Sequence, residues 1–151
     1  MRPYLEDTMT VNRAMNNRMT PEPMEDHQGH KMWHMKMTMP MIMSNRSLIA
    51  CIYQADMADG WKAVFTSSQG NEAQTAAHAE AIGSDVIANN IINFVAYKPY
   101  DGGMELKSVL AMDPAGSIPG FIKSKMGGRM ANQLILLTDY LKNGAVPEAM
   151  F

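Results

Sequence analysis

Apolar and polar residues alternate with a period of two along much of this chain, and that period predicts strands. In residues 8–15, Met9, Val11 and Met15 alternate with polar neighbours, which predicts a short half-buried strand. Residues 20–29 hold two prolines, three acids and a glycine, and read as a solvated loop. From 30 to 43 the odd positions are methionine from Met35 through Met37, Met39, Met41 and Met43, with His34, Lys36 and Thr38 between them. The methionines therefore line one face of a strand, and Pro40, which has no N–H to give a ladder, belongs at its end or on an edge. Ser44-Asn45 is a turn, and 46–55 is a strand with Leu48, Ala50 and Ile52 on one face and Ile49, Cys51 and Tyr53 on the other. Apolar residues on both faces mean that this strand is covered on both sides.

Asp59-Gly60 is a hairpin turn that returns 61–67 antiparallel. The alanine-rich stretch 71–82 reads either as a helix capped by Asn71 and ended by Gly83 or as an irregular loop. Residues 85–98 carry Ile92, Phe94 and Ala96 on one side of a further strand, and 99–103 is a Pro/Gly turn. The clearest strand follows: Met104, Leu106, Ser108, Leu110 and Met112 on one face, with Glu105 and Lys107 opposite.

Asp113-Pro114 stops that strand. Ser117 is a candidate helix cap, with Pro119 in the first turn. Beyond it the period changes: Phe121, Ile122, Met126, Met130, Leu134, Leu137 and Leu141 recur at spacings of three and four, an amphipathic helical stripe. Gly127-Gly128 inside the stripe costs about 2 kcal/mol relative to two alanines, which points to close packing or a kink. Residues 145–151 read as a tail. Several antiparallel strands followed by one long final helix make an α+β fold, in which the sheet closes over something apolar.

At 151 residues the chain fits one domain, assigned to 1–144 with the tail at 145–151. A net charge of −2 and the absence of a basic stripe argue against nucleic acid as a partner. No stretch approaches the ~18 continuous apolar residues of a membrane span. The first twenty residues lack the apolar centre of a signal peptide, so the expected location is cytoplasmic or peripheral to membranes. The single cysteine, Cys51, reads as a small buried hydrophobe. Methionine is in excess, at 17 residues, concentrated before position 44.

Four segments occur in a telling order: Ser44-Asn45-Arg46-Ser47, Thr66-Ser67-Ser68-Gln69-Gly70-Asn71-Glu72, Tyr97-Lys98-Pro99-Tyr100-Asp101-Gly102-Gly103 and Met112-Asp113-Pro114-Ala115-Gly116-Ser117-Ile118-Pro119. In these the chain resembles the START domain, the lipid-transfer domain of the steroidogenic acute regulatory and phosphatidylcholine transfer proteins. The resemblance covers about residues 30–143. It implies a helix-grip fold, a curved antiparallel sheet gripping a C-terminal helix that lids a hydrophobic tunnel for one lipid, of the phospholipid or sterol class. It also implies transient membrane contact. Roughly the first quarter of the family domain has no counterpart here, so a protein partner that completes a shortened domain is a further expectation. Several family members carry Asp after the arginine matching Arg46 and another Arg six positions past it; here Ser47 and Ile52 stand there, which favours an apolar wall and a neutral lipid or fatty tail.

The lipid-facing candidates are Leu48, Ala50 and Ile52 from one strand, and Met104, Leu106, Leu110 and Met112 from another. The final helix adds Phe121, Ile122, Met126, Met130 and Leu134. Periodicity alone favours an ordinary closed core; the resemblance reverses this in favour of a cavity. Copper is a rival, since His27, His30, His34, Met32 and the odd-numbered methionines are ligands suited to Cu(I). A strand does not easily converge three sulfurs on one ion, so no metal and no cofactor are assigned. No nucleophile elbow, phosphate loop or metal-ligand spacing is present, so no catalytic residue is assigned and the protein reads as non-enzymatic. The remaining alternative is an accessory structural subunit of a larger complex that uses the fold without the lipid.

Overall fold

The computed structural model describes residues 19–122 together with Ser124, Gly128 and Ile135. The expected strand at 8–15 and most of the expected final helix lie outside these residues. Residues 120–122, Ser124, Gly128 and Ile135 are helical.

Seven strands form one largely antiparallel sheet: β1 (Met19–Pro23), β2 (Lys31–Met37), β3 (Arg46–Asp56), β4 (Lys62–Ser67), β5 (Val86–Ile87), β6 (Asn89–Tyr100) and β7 (Gly103–Asp113). The order is β1-β2-β3-β4-β6-β7, with β5 pairing parallel to the start of β3. Two short helices, α1 (Glu72–Ala77) and α2 (Ala79–Ile82), lie between β4 and β5. Glu22–Ala115 is one compact unit; Met1–Pro21 and Gly116–Phe151 make up a second.

Most of the expected strands are present, with shifted ends. The methionine strand stops at Met37, because Pro40 sits in a turn closed by Met43 N–H on the Pro40 carbonyl; Met41 there is fully exposed. The loop expected at 20–29 is a strand over its first part, β1, where Pro21 is buried despite the polar composition around it. The β3–β4 connection is a 3-10 turn at Ala58–Gly60, with Asp59 at φ 59° and Gly60 at φ 76°. The β6–β7 hairpin turns at Asp101-Gly102, Gly102 at φ 82°. At Gly103 a Cβ would lie 2.6 Å from the Tyr100 hydroxyl, so any larger residue there would have to push the exposed Tyr100 ring aside.

The alanine-rich segment is helical but broken at His78, whose ring Nδ1 and main-chain N–H both meet the Gln74 carbonyl. Asn71 precedes α1 without capping it. Its side-chain amide instead donates to the Ile49 and Ser67 carbonyls and ties the helix start to β3 and β4. Ile82 of α2 packs with Met32, Ile49, Cys51 and Met24 in a small core on one side of β3. The expected burial of Cys51 and of both faces of the first half of β3 is therefore met: residues 46–52 are all buried.

The sheet curls, because both β5 and the end of β7 return to the start of β3. Arg46 makes the second closure. Its Nε donates to the Pro114 carbonyl at 3.1 Å, one Nη to the Ala115 carbonyl at 3.1 Å, and the other Nη to the Ser44 carbonyl. Arg46 is only 2% exposed. Asp113 Oδ1 accepts the Ala115 N–H at 2.9 Å, and Ala115 adopts φ 52°, a left-handed conformation that costs a non-glycine residue roughly 1 kcal/mol. The corner after β7 is thus held by a carboxylate on its N–H side and a guanidinium on its carbonyl side.

Arg46→Ala leaves three carbonyls of the curl without this donor, and charge-assisted bonds of this kind contribute about 1.5–3 kcal/mol each before relaxation. The expected loss is on the order of 3 kcal/mol. Arg46→Lys, which keeps the charge but not the fork, should lose clearly less. Urea midpoints at constant m-value measure both; a loss below the scatter for Arg46→Ala would mean that the tether carries no load.

Candidate functional site

Cross-strand partners share a face, so the register sorts every strand residue onto one side of the sheet or the other. Following Ile52↔Thr66, Thr66↔Asn93 and Asn93↔Leu110 crosses from β3 to β7 on a single face. Asp56↔Lys62↔Tyr97↔Leu106 runs parallel to it. Leu48, Ala50 and Ile52 therefore lie on the same face as Met104, Leu106, Leu110 and Met112, as the sequence reading requires. Leu48 and Ala50 are fully buried, Ile52 nearly so, and the four β7 residues are half-buried.

The same face carries residues that the candidate set omits. Met35 and Met37 pair with Leu48 and Arg46, and Trp33 pairs with Ala50, so the methionine face adjoins the candidate wall. Val64 and Val95 fill the middle rows. Both lie on segments read as strands from the sequence, but only the pairing says which side they face. Polar groups also sit on this face: Thr66, Asn93, Ser108 and, beyond a register shift in β6, Asn90 opposite Met112. The wall is therefore apolar with a polar row across it, less uniform than the sequence reading expected.

The structure bears on three further points of the sequence reading. Ser47 lies on the opposite face from Ile52, so of the two positions read as tunnel wall only Ile52 bears on it. The His/Met tract is divided: Met35 and Met37 face one side, Met32 and His34 the other, so the strand does not gather them around one ion. Among the described residues no group of three His, Cys, Asp or Glu side chains is placed to hold a metal. Of the final-helix candidates, Phe121 is exposed and Ile122 half-buried, while Met126, Met130 and Leu134 lie outside the described residues.

The opposite face holds a buried polar cluster. Ser47 Oγ donates to Asp85 Oδ2 at 2.7 Å and meets His34 Nε2 at 3.1 Å. With its own proton committed to Asp85, Ser47 can only accept from His34, which assigns the proton to Nε2. His34 Nδ1 lies 3.7 Å from Glu22, which Lys36 also pairs. Burial, helped by the Lys36 charge, lowers the His34 pKa below 6.5; the Glu22 carboxylate opposes this and loses. Beside this cluster is a cavity of about 520 Å³ between α1, α2 and the β5–β6 start, with Ile49, Ala76, Ala79 and Ile82 among its walls and Glu72 and Asp85 its charged groups.

No protein-family model and no curated protein sequence matches the chain. Solved structures do. The human StarD13 (DLC2) lipid transfer and protein localization domain superposes with a TM-score of 0.63 at 14% identity, over 84% of this chain and 66% of that one. This chain has a START-like fold. Human STARD10 gives a TM-score of 0.63 at 11% identity over 87% and 52%, and human StAR-related lipid transfer protein 5 gives 0.62 at 11% over 82% and 60%. The chain spans between about half and two thirds of the length of these START-like neighbours. The START-like sheet accounts for the order of the four sequence segments: two of them, at Arg46 and at Asp113–Ala115, are the two sides of the Arg46 tether.

His34 gives a pH prediction. Its folded pKa is depressed, so between that value and about 6.5 the unfolded chain binds the extra proton, and stability falls as pH drops through this window. His34→Gln should flatten the fall. Urea midpoints of both proteins between pH 7.5 and 5 measure the difference; parallel curves would show that His34 does not titrate against folding.

Proposed function

We propose that this protein binds one lipid, of the phospholipid or sterol class, against the sheet face that carries Leu48, Ala50, Ile52, Met104, Leu106, Leu110 and Met112, without catalysing a reaction on it. The observation that carries the reading is the convergence of those residues, drawn from strands far apart in sequence, onto one face of a START-like sheet. The remaining lipid-contact candidates of this reading, Phe121, Ile122, Met126, Met130 and Leu134, lie on the segment after Pro119. Each methylene moved from water contributes about 0.8 kcal/mol, so an acyl chain or ring system supplies ample driving force. The flanking methionines Met35 and Met37 suit a wall that adapts to its ligand.

Delivery or uptake implies transient contact with a membrane surface, and the protein then works as a peripheral or cytoplasmic carrier. Among the described residues no helix is long and apolar enough to cross a membrane. A second reading, a subunit of a larger assembly, draws on β7, whose outer edge has no neighbour among the described strands and carries the exposed Val109.

Native mass spectrometry of protein purified without detergent should show one lipid per chain. Leu110→Asp should abolish uptake while far-UV circular dichroism remains that of the parent. Lipid-free protein in constant association with another chain would overturn the carrier reading in favour of the second; unchanged uptake by Leu110→Asp would mean that the lipid sits elsewhere.

A further inference from the structure

Among the described residues Gln74 Oε1 and Asn90 Oδ1 are buried side-chain oxygens without a hydrogen-bond partner, and of the two residues Asn90 is the buried one. It is 2% exposed, and its Nδ2 donates to the Thr66 carbonyl at 3.2 Å, which fixes the orientation of the amide. Its main-chain N–H is satisfied by Ser68 Oγ at 2.7 Å, and its carbonyl accepts from the Ser68 N–H at 3.0 Å. Asn90 Oδ1 has no hydrogen-bond partner among the described residues. An acceptor left this way in a protein interior costs roughly 1–3 kcal/mol, and side chains of this kind are retained where something donates to them.

The pairing of Asn90 with Met112 puts it on the face assigned to the lipid, one row from Asn93 and Leu110. The charges on that face are accounted for. Arg46 is spent on three carbonyls, Asp56 and Lys62 pair with each other in solvent, and Lys31 is exposed at the outer end of β2. No described charged group remains in the interior rows to meet a phosphate or a carboxylate. Among the described residues, then, Asn90 is placed to meet an uncharged headgroup that brings a hydrogen to donate.

We propose that Asn90 Oδ1 receives a hydrogen bond from the polar end of a neutral lipid alcohol, and that this selects such lipids over those whose buried end only accepts. The inference rests on the lipid-binding reading above and names the ligand class of that site. Methionine and leucine around the amide exclude competing water, so the donor is worth more here than in solvent.

The test compares 1-hexadecanol with 1-methoxyhexadecane, which has the same chain and oxygen but no hydrogen to give, as competitors for bound Nile red. Wild-type protein should prefer the alcohol by about tenfold or more. Asn90→Leu should bind the ether at least as well as wild type and lose the preference for the alcohol. In wild-type protein labelled at asparagine, the Asn90 side-chain carbonyl resonance should move with the alcohol and stay put with the ether, an outcome that does not depend on the variant folding. Equal binding of the two competitors by wild type, or a preference that survives in Asn90→Leu, overturns the role of Asn90 while leaving lipid binding intact. If neither compound displaces the dye and no lipid copurifies, the lipid-binding reading itself falls, and this inference with it.

Discussion

A guanidinium that pairs with no acid among the described residues holds the curl of this sheet together. The ion pairs among the described residues join other groups, and Arg46 is surrounded by main-chain carbonyls: one from its own turn and two from the corner after β7, 68 and 69 residues away. Burying an unpaired charge costs several kcal/mol, and only multiple charge-assisted bonds offset it. The exchange is worthwhile because a carbonyl-rich corner needs donors, and a planar fork supplies several at fixed angles. The left-handed Ala115 is tolerated for the same reason: its N–H goes to Asp113 and its carbonyl to Arg46, so the strained conformation is the one that satisfies both. With the start of β3 fixed to the end of β7, the rows between them can only curve.

That closure sets the parity of everything else. A shift of one residue in β3 would turn Leu48, Ala50 and Ile52 to the helix-covered side and bring Ser47, Ile49 and Cys51 to the face proposed for lipid. Two polar anchors oppose such a slip from the other side of the strand. Ser47 is held between His34 and Asp85, and the Ile49 carbonyl takes the Asn71 amide. The strand is thus located by Arg46 on one face and by Ser47 on the other, adjacent residues pointing in opposite directions. This explains how a segment apolar on both faces, whose pattern alone specifies register weakly, comes to have a single one.

Much of this was legible in the sequence, and the limits have physical causes. Alternation located β3, β6 and β7, and it grouped Leu48 with Ile52 and Met104 with Leu110, because each group shares one strand. Whether the two groups share a face depends on pairing partners and on the register shift between Asn90 and Ile92, which no local pattern records. Asn71 looked like a cap because its type and position suit one; its amide went instead to two strand carbonyls that only the folded chain brings near. β1 was hidden by prolines and acids, since a strand at the end of the described order, paired on one side only, tolerates both. The methionine strand was overextended because a period of two continues through Met43 while the backbone turns at Pro40. The expected lid falls mainly on residues outside those described; of its two described candidates, Phe121 is exposed and Ile122 half-buried.

Arg46 and Asn90 together bear on what the face accepts. In a sheet with an unengaged arginine, the interior would attract an anionic headgroup. Here three carbonyls occupy the guanidinium, so its field falls on main-chain dipoles and not on the open rows. What remains in those rows is amide and hydroxyl chemistry: Asn90, Asn93, Thr66 and Ser108 set among leucine, valine and methionine. Such groups exchange hydrogen bonds with a neutral partner at little desolvation cost, whereas an ion would have to give up its hydration with no opposite charge to replace it. The residue that shapes the sheet is thereby also the reason that its interior rows are electrically quiet, and structural and binding roles need not compete for the same charge.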